Sequence, residues 1–129
     1  MDKVVQCYRA LSEEVRLRIM MLLTRGELCV CDIMEIMDEP QSKVSRHLSY
    51  LKNSRLITAK RVGAWMHYSL KDQEDETLHA QLDFMREHLS SLPVFKDDMA
   101  KAEALKERKR CEGPRPRGKV FSGRAGKRG

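Results

Sequence analysis

Residues 31–70 constrain the fold more than any other part of the chain, because their pattern predicts two short helices joined by a tight turn. The first helix is predicted over 31–37, and Asp38-Glu39-Pro40 supplies the turn. The second helix is predicted over Gln41–Asn53. Its inner stripe, at helical spacing, is formed by Val44, Leu48 and Leu51.

A hairpin is predicted directly after these helices. The strands span 57–61 and Trp65–Leu70, and Val62-Gly63-Ala64 connects them. Two short helices followed by a hairpin predict a mainly α protein with a small β-hairpin, that is, a winged helix-turn-helix.

Further helices are predicted on both sides of this unit. A short helix is predicted over 3–11, with Val4, Cys7, Tyr8 and Leu11 on one apolar stripe. Ser12 is a candidate N-cap for the next helix, which ends near Gly26. A long helix is expected over 74–92, with Pro93 at its end. Its apolar residues form a narrow seam suited to a partner helix: Leu78, Leu82, Met85, Leu89 and Leu92.

We therefore expect three regions. Residues 1–92 form a DNA-binding and dimerisation domain, 93–111 a charged helical extension, and 112–129 a basic disordered tail. Ten basic and two acidic residues lie in 106–129, so the net charge of +6 comes from the tail. We expect the tail to add non-specific, salt-sensitive affinity for DNA.

The helix-turn-helix and hairpin have their own basic surface. Residues 41–70 contain six Lys or Arg residues and no acid. Such a surface displaces counterions from phosphates, and small hydroxyls allow close approach to base edges. The candidate DNA contacts are Gln41, Ser42, Lys43, Ser45, Arg46, His47, Ser49, Tyr50, Lys60 and Arg61.

The cysteines indicate a sensor for a soft ion. The chain has neither an apolar run of membrane length nor a signal peptide, so we expect a cytoplasmic protein with reduced thiols and no membrane partner. Thiolates select soft ions, and a helix N-terminus lowers the pKa of a nearby thiol. Residues two apart on a helix point about 200° apart. Cys29 and Cys31 can therefore share an ion only if Cys29 lies outside the helix or the first turn unwinds.

Three blocks of sequence carry a family resemblance. Residues 27–33 (ELCVCDI), 43–52 (KVSRHLSYLK) and 63–70 (GAWMHYSL) resemble the arsenical-resistance repressors of the ArsR/SmtB family, over about residues 5–92. The resemblance implies a homodimer that binds a palindromic double-stranded operator and leaves it when an inducer binds. Its recognition helix would be Gln41–Asn53. The interface, from the first and last helices, would include Val4, Tyr8, Leu78, Leu82, Met85 and Leu89.

The resemblance also implies the inducer. Trivalent arsenic (arsenite) or antimonite would bind Cys29 and Cys31, with no organic cofactor. The family's further Cys is replaced by Met34, so Cys111, a small cellular thiol or two-coordinate binding could complete the site. Cys7 lies on an apolar stripe and is expected in the core.

Two positions depart from the family pattern. Arg55 replaces a Gly before Leu56, so we expect Asn53 to end the recognition helix in the left-handed conformation. Ala64 follows the Gly of the wing tip, where a basic residue is common. Wing contacts would then depend on Lys60 and Arg61.

The same residues are compatible with other functions. The thiols could instead respond to oxidation, or to cadmium or lead as in related repressors. A general DNA-binding protein dominated by its basic tail is a further alternative. His79, Asp83 and His88 do not match a zinc-site spacing, and Asp32 and Glu35 are expected to be solvated or N-terminal helix charges. Neither a phosphate-binding Gly loop nor a nucleophile–base pair is recognisable, so we do not expect an enzyme.

Overall fold

The order of helices and strands follows the winged helix-turn-helix pattern. The computed structural model describes residues 1–71 and 75–111, and the side chains as far as Lys109. Its elements are α1 (Asp2–Ala10), α2 (Glu14–Leu23), β1 (Leu28–Cys29), α3 (Val30–Met37), α4 (Gln41–Asn53), β2 (Ile57–Val62), β3 (Trp65–Leu70), α5 (Glu76–Phe84), a π-helical turn (Met85–Leu89) and α6 (Pro93–Cys111). Among these helices, none is both long and apolar enough to cross a bilayer.

The predicted mainly α fold with a hairpin wing is confirmed. β2 and β3 form the antiparallel hairpin, and Val62 pairs with Trp65 next to the turn. Gly63 occupies the left-handed region there, with φ of 63°. The short strand β1 was not predicted, because two residues give no periodic signal. It pairs with β3 and makes a three-stranded sheet in the order β1-β3-β2.

One apolar core joins the helices to the sheet. Its fully buried side chains come mainly from α2, α3 and α4, with β2 and α5 closing the sides. The largest are Ile19, Met20, Met21, Leu22, Leu23, Ile33, Ile36, Leu48, Leu51, Ile57 and Leu82. Cys7 is also completely buried, and this burial raises the pKa of its thiol to about 11. The expectation that Cys7 belongs to the core is confirmed.

The long helix predicted over 74–92 is present from Glu76 to Leu89, but its last turn is π-helical and it ends before residue 92. α5 ends at Phe84 and passes into the π-helical turn, and Pro93 begins α6 instead of only ending its predecessor. Proline suits a first helical position, because its missing N–H has no intrahelical acceptor there. The predicted partner-facing seam needs a matching correction: Leu78, Leu82 and Met85 are 1–3% exposed and belong to the protomer's own core.

Two predicted helix ends also differ from the structure. Ser12 does not cap α2, because its Oγ donates to the carbonyl oxygen of Arg9 at 2.7 Å and Glu13 holds the N-cap position. Arg55, not Asn53, takes the left-handed conformation after α4, with φ of 65°. The amide of Leu56 then donates to the carbonyl oxygen of Leu51 at 3.1 Å, which completes a Schellman motif. A side chain in this conformation costs about 1 kcal/mol.

α6 packs against α2 and α3 through an apolar stripe and ionic contacts. Its buried residues are Phe95, Asp98, Ala102 and Leu105. Arg18 makes a bidentate pair with Asp98, with N–O distances of 2.9 and 2.8 Å. Asp98 is 1% exposed, so this pair lies at the centre of the contact. Further along α6, Arg108 makes a bidentate pair with Glu35 on the surface of α3.

We predict that Arg18→Met lowers the free energy of unfolding by about 3 kcal/mol, because the Asp98 carboxylate stays buried and loses its guanidinium partner. Urea denaturation followed by circular dichroism measures the change. Arg108→Met is the matched control, since its pair with Glu35 lies at the surface, where water screens the two charges and the pair contributes little to stability. Equal losses in the two variants would contradict the prediction.

Candidate sensor site and DNA-binding surface

The two candidate sensor thiols lie together at the start of α3. Cys29 is the N-cap residue, with extended backbone angles of φ −87° and ψ 163°, whereas Cys31 lies in the first turn. Their sulfurs and a carboxylate oxygen of Asp32 all lie within 4.8 Å of one another. Two sulfurs on one ion, each about 2.3 Å from it as in thiolate sites for zinc, are at most about 4.6 Å apart. The thiols can therefore share a soft ion after a small movement.

The extended backbone of Cys29 explains how two cysteines two residues apart can face the same ion. Cys29 already lies outside the helix, so the first turn of α3 need not unwind to bring the sulfurs together. Cys29 and Asp32 also form a reciprocal capping box. The amide of Cys29 donates to Asp32 Oδ2 at 3.4 Å, and the amide of Asp32 donates to the Cys29 sulfur. The sulfur available to an ion is therefore also the acceptor that caps α3.

The expectation that the helix N-terminus lowers the pKa of these thiols is wrong for Cys29. Burial raises the pKa of this thiol to about 12, and the hydrogen bond with Cys31 acts in the same direction. Cys29 is 3% exposed, so loss of solvation outweighs the helix dipole. The thiol is protonated at neutral pH, and a bound ion must displace its proton.

Asp32 is an N-terminal charge of α3, as expected, but it is buried and not solvated. It is 1% exposed, caps the amide of Cys29 and pairs with Lys109 Nζ of α6 at 3.1 Å. Glu35 is exposed as expected, and its pair with Arg108 lowers the pKa of its carboxyl group. The end of α6 therefore contacts the sensor motif. The predicted third ligand, Cys111, ends α6, but its side chain lies outside the described part of the chain.

The outer face of α4 presents most of the predicted DNA contacts. Gln41, Ser42, Arg46, Ser49 and Tyr50 are exposed, and Lys43 and Ser45 are half-buried. Lys60 and Arg61 are exposed on β2. α4 packs against α2 and α3 with its opposite face, so these polar side chains remain on one accessible surface. Tyr50 is partly covered, because the Arg16 guanidinium lies 4.0 Å from its ring centroid.

His47 is not part of this surface, and its predicted DNA contact is wrong. It is 5% exposed and faces α2, where Arg16 Nη1 lies 3.2 Å from its Nδ1. Arg16 can only donate, so Nδ1 accepts and the proton of the neutral ring is on Nε2. Nε2 is 3.9 Å from Glu13 and 3.5 Å from Arg46.

Four polar residues important to this arrangement were missed at the sequence level: Arg16, Glu27, His67 and Lys109. Arg16 interrupts the apolar face of α2 one turn before Ile19, which was a usable signal. It also donates to the carbonyl oxygens of Arg9 and Ala10 at the end of α1. The buried pair of Glu27 with His67 and the pair of Lys109 with Asp32 join distant segments and leave no local pattern.

The remaining residues of the predicted dimer interface lie in α1 and at the end of the π-helical turn. Val4 and Tyr8 are 36% and 51% exposed, and Leu89 is half-buried. Phe84 adds another exposed apolar side chain on α5. Tyr8 accepts a hydrogen bond from Gln81 Nε2 at 3.1 Å, which joins α1 to α5.

We predict that folding stability decreases as the pH falls from about 6.5 towards 5.5, because of His47. Burial lowers the pKa of His47, and the cations Arg16, Arg46 and Lys43 lower it further, against an opposing effect of Glu13. The unfolded state therefore takes up a proton near its ordinary pKa of about 6.5 while the folded state stays neutral.

Urea denaturation at pH 7.5, 6.5 and 5.5 tests this expectation. His47→Gln, which can still accept from Arg16, should flatten the profile in this range. The exposed His88→Gln is the matched control and should leave the profile as in the wild type. A wild-type slope that persists in His47→Gln would assign the effect to another group.

The chain is similar in sequence to bacterial regulatory proteins. The family model "Bacterial regulatory protein, arsR family" matches residues 13–59. The arsenical resistance operon repressor of Escherichia coli (strain K12) is 45% identical over 67 residues, which are 51% of this chain and 57% of that repressor. The repressor of the same name from Bacillus subtilis (strain 168) is 45% identical over 73 residues, 56% of this chain and 70% of that protein.

A solved structure agrees with this assignment. The AntR antimony-specific transcriptional repressor matches with a TM-score of 0.60 at 28% identity, over 69% of this chain and 78% of that chain. The helix-turn-helix and the sensor motif both lie within residues 13–59, which the family model matches. The chain therefore belongs to the arsR family of bacterial regulatory proteins.

Proposed function

We propose that this protein is a cytoplasmic, homodimeric transcriptional repressor that leaves a palindromic operator when trivalent arsenic or antimony binds Cys29 and Cys31. The observation that carries the proposal is the pair of thiols within 4.8 Å at the N-cap of α3. The arsenical resistance repressors of two bacteria, at 45% identity, support the choice of a metalloid inducer.

The capping box supplies a physical route from the ion to DNA. An ion on the Cys29 sulfur replaces its hydrogen bond with the Asp32 amide, so the cap of α3 is rebuilt around the ion. α3 packs against the recognition helix α4 through the core residues Ile33, Val44 and Leu48. An ion that prefers the altered cap therefore favours an α4 orientation that fits the operator less well.

A third sulfur completes the preferred pyramidal site for trivalent arsenic. Asp32 is a poor candidate, because its carboxylate is a hard ligand already paired with Lys109. We propose Cys111 as the third ligand: Lys109, two residues before it, contacts the sensor motif, and the end of α6 has to unwind for Cys111 to reach the same side. A small cellular thiol would serve the same purpose if Cys111 does not.

The dimer interface is proposed to lie on the surface formed by α1 and α5. Val4, Tyr8 and Phe84 are exposed there, which is unusual for large apolar side chains on neighbouring helices. A dimer would pair two α4 surfaces about one turn of DNA apart, which fits a palindromic operator.

We predict that arsenite releases the wild type from an operator fragment, and that Cys29→Ser and Cys31→Ser stay bound. Serine preserves the cap of α3 but cannot provide the soft sulfur ligand. Fluorescence anisotropy under reducing conditions measures the release, and Cys111→Ser decides the third ligand.

The matched control for these variants is Cys7→Ala, which removes a buried thiol of α1 outside the sensor motif and should respond as the wild type does. Unchanged wild-type binding in arsenite would remove the metalloid inducer and leave a DNA-binding protein. Release by cadmium or by an oxidant would then identify the effector.

We predict that Arg46→Gln weakens operator binding and lowers the slope of log K against log salt by about 0.9, as expected for one lost phosphate contact. Arg46 is exposed on the outer face of α4, so its loss leaves the core intact. Lys101→Gln, an exposed basic residue on α6, is the control and should leave the slope unchanged. Equal effects of the two variants would contradict the proposed surface.

A further inference from the structure

A buried carboxylate connects the strand before the sensor motif to the DNA-binding wing. The Glu27 side chain is 3% exposed, and its Oε2 lies 2.8 Å from Nδ1 of the buried His67 on β3. The two atoms are in close polar contact, but the contact lacks hydrogen-bond geometry, and neither atom has a hydrogen-bond partner in the described part of the chain. Glu27 Oε1 lies 3.4 Å from Nζ of Lys60 on β2.

The register of the sheet places the sensor on the same structural unit. Cys29 pairs with His67 across β1 and β3, and Lys60 pairs with His67 across β2 and β3. Residues directly opposite in antiparallel strands point to the same face of the sheet. Glu27 precedes Cys29 by two residues and contacts both partners on that face. The sheet therefore holds the sensor cysteine and a wing cation, and the bridging carboxylate lies directly before β1.

Of the two charged partners, the buried Glu27 depends on the contact more than the exposed Lys60 does. The Lys60 side chain is 59% exposed and is well solvated without a partner, whereas a buried carboxylate is costly unless it is paired. A displacement of β1 must therefore either carry Lys60 and His67 with it or break contacts that Glu27 needs. Such a bridge transmits a movement of the strand to the wing.

On the basis of the function proposed above, we propose that Glu27 is a positioning residue that couples ion binding at Cys29 and Cys31 to the wing, through Lys60. Closure of Cys29 on an ion moves β1 and with it the Glu27 carboxylate. Lys60 then loses the orientation in which it contacts DNA. The wing and the recognition helix thus respond to the same ion by separate routes.

The experiment measures three quantities in the full-length protein: arsenite binding by equilibrium dialysis, the ratio of operator dissociation constants with and without arsenite, and the emission of Trp65. Trp65 is the single tryptophan and lies on the wing, so its emission reports the wing alone. In the wild type, arsenite should change Trp65 emission in proportion to its binding.

Glu27→Gln preserves the size of the side chain beside His67 but removes the charge that holds Lys60. We expect arsenite affinity within about twofold of the wild type, and a ratio of operator dissociation constants reduced at least about threefold. The amplitude of the Trp65 response should fall as well. Lys60→Gln should behave in the same way, and the double variant should show no further loss.

Arg61→Gln is the matched control, because Arg61 is the adjacent wing cation on the opposite face of β2. It should weaken operator binding with and without arsenite and leave the ratio unchanged. If Glu27 had a purely structural role, Glu27→Gln would lower the melting temperature but leave the ratio of operator dissociation constants unchanged. If Glu27→Gln does not fold, Lys60→Gln provides the test from the exposed end of the bridge.

Each outcome separates this inference from the proposed function. If arsenite releases the wild type and Glu27→Gln keeps the wild-type ratio, the function stands and the coupling role of Glu27 is overturned. If arsenite binds without a change in Trp65 emission, the wing does not respond and the inference fails alone. If arsenite neither binds nor releases the wild type, both are overturned.

Discussion

The position of the recognition helix depends on one buried guanidinium. Arg16 donates to the carbonyl oxygens that end α1, contacts His47 of α4 and covers the ring of Tyr50. It thereby fixes three helices against one another at a point where apolar packing alone is not directional. Because Arg16 holds the opposite side of α4 against α2, the polar face of α4 stays exposed. The buried Arg16 thus determines the angle at which α4 packs against α1 and α2.

The sequence was informative where periodicity and local chemistry act together. The α4 stripe, the hairpin around Gly63 and the extended position required of Cys29 follow from spacing, and the structure agrees. Residue spacing led to wrong predictions where a side chain is buried inside the protomer instead of facing a partner or DNA. The seam on α5 was assigned to a partner although the protomer buries Leu78 and Leu82, and His47 was assigned to DNA although it faces α2.

The contacts that sequence reasoning missed join segments far apart in the chain. Glu27 with Lys60, Asp32 with Lys109 and Arg18 with Asp98 are single charged pairs, and an isolated charge has no period by which to be recognised. The raised pKa of the Cys29 thiol belongs to the same class, since burial is a property of the assembled fold. These pairs nevertheless connect the sensor to α6 and to the wing.

The use of a thiol as a helix cap has an evolutionary consequence. Serine is among the preferred N-cap residues, and it differs from cysteine only in oxygen for sulfur. A Cys29→Ser substitution therefore preserves the cap of α3 and the core behind it, while the soft ligand disappears. Descendants that lose the inducer can keep the fold and the operator. A permanently repressing form of this protein lies one conservative substitution away, and selection for inducibility has to retain the sulfur itself.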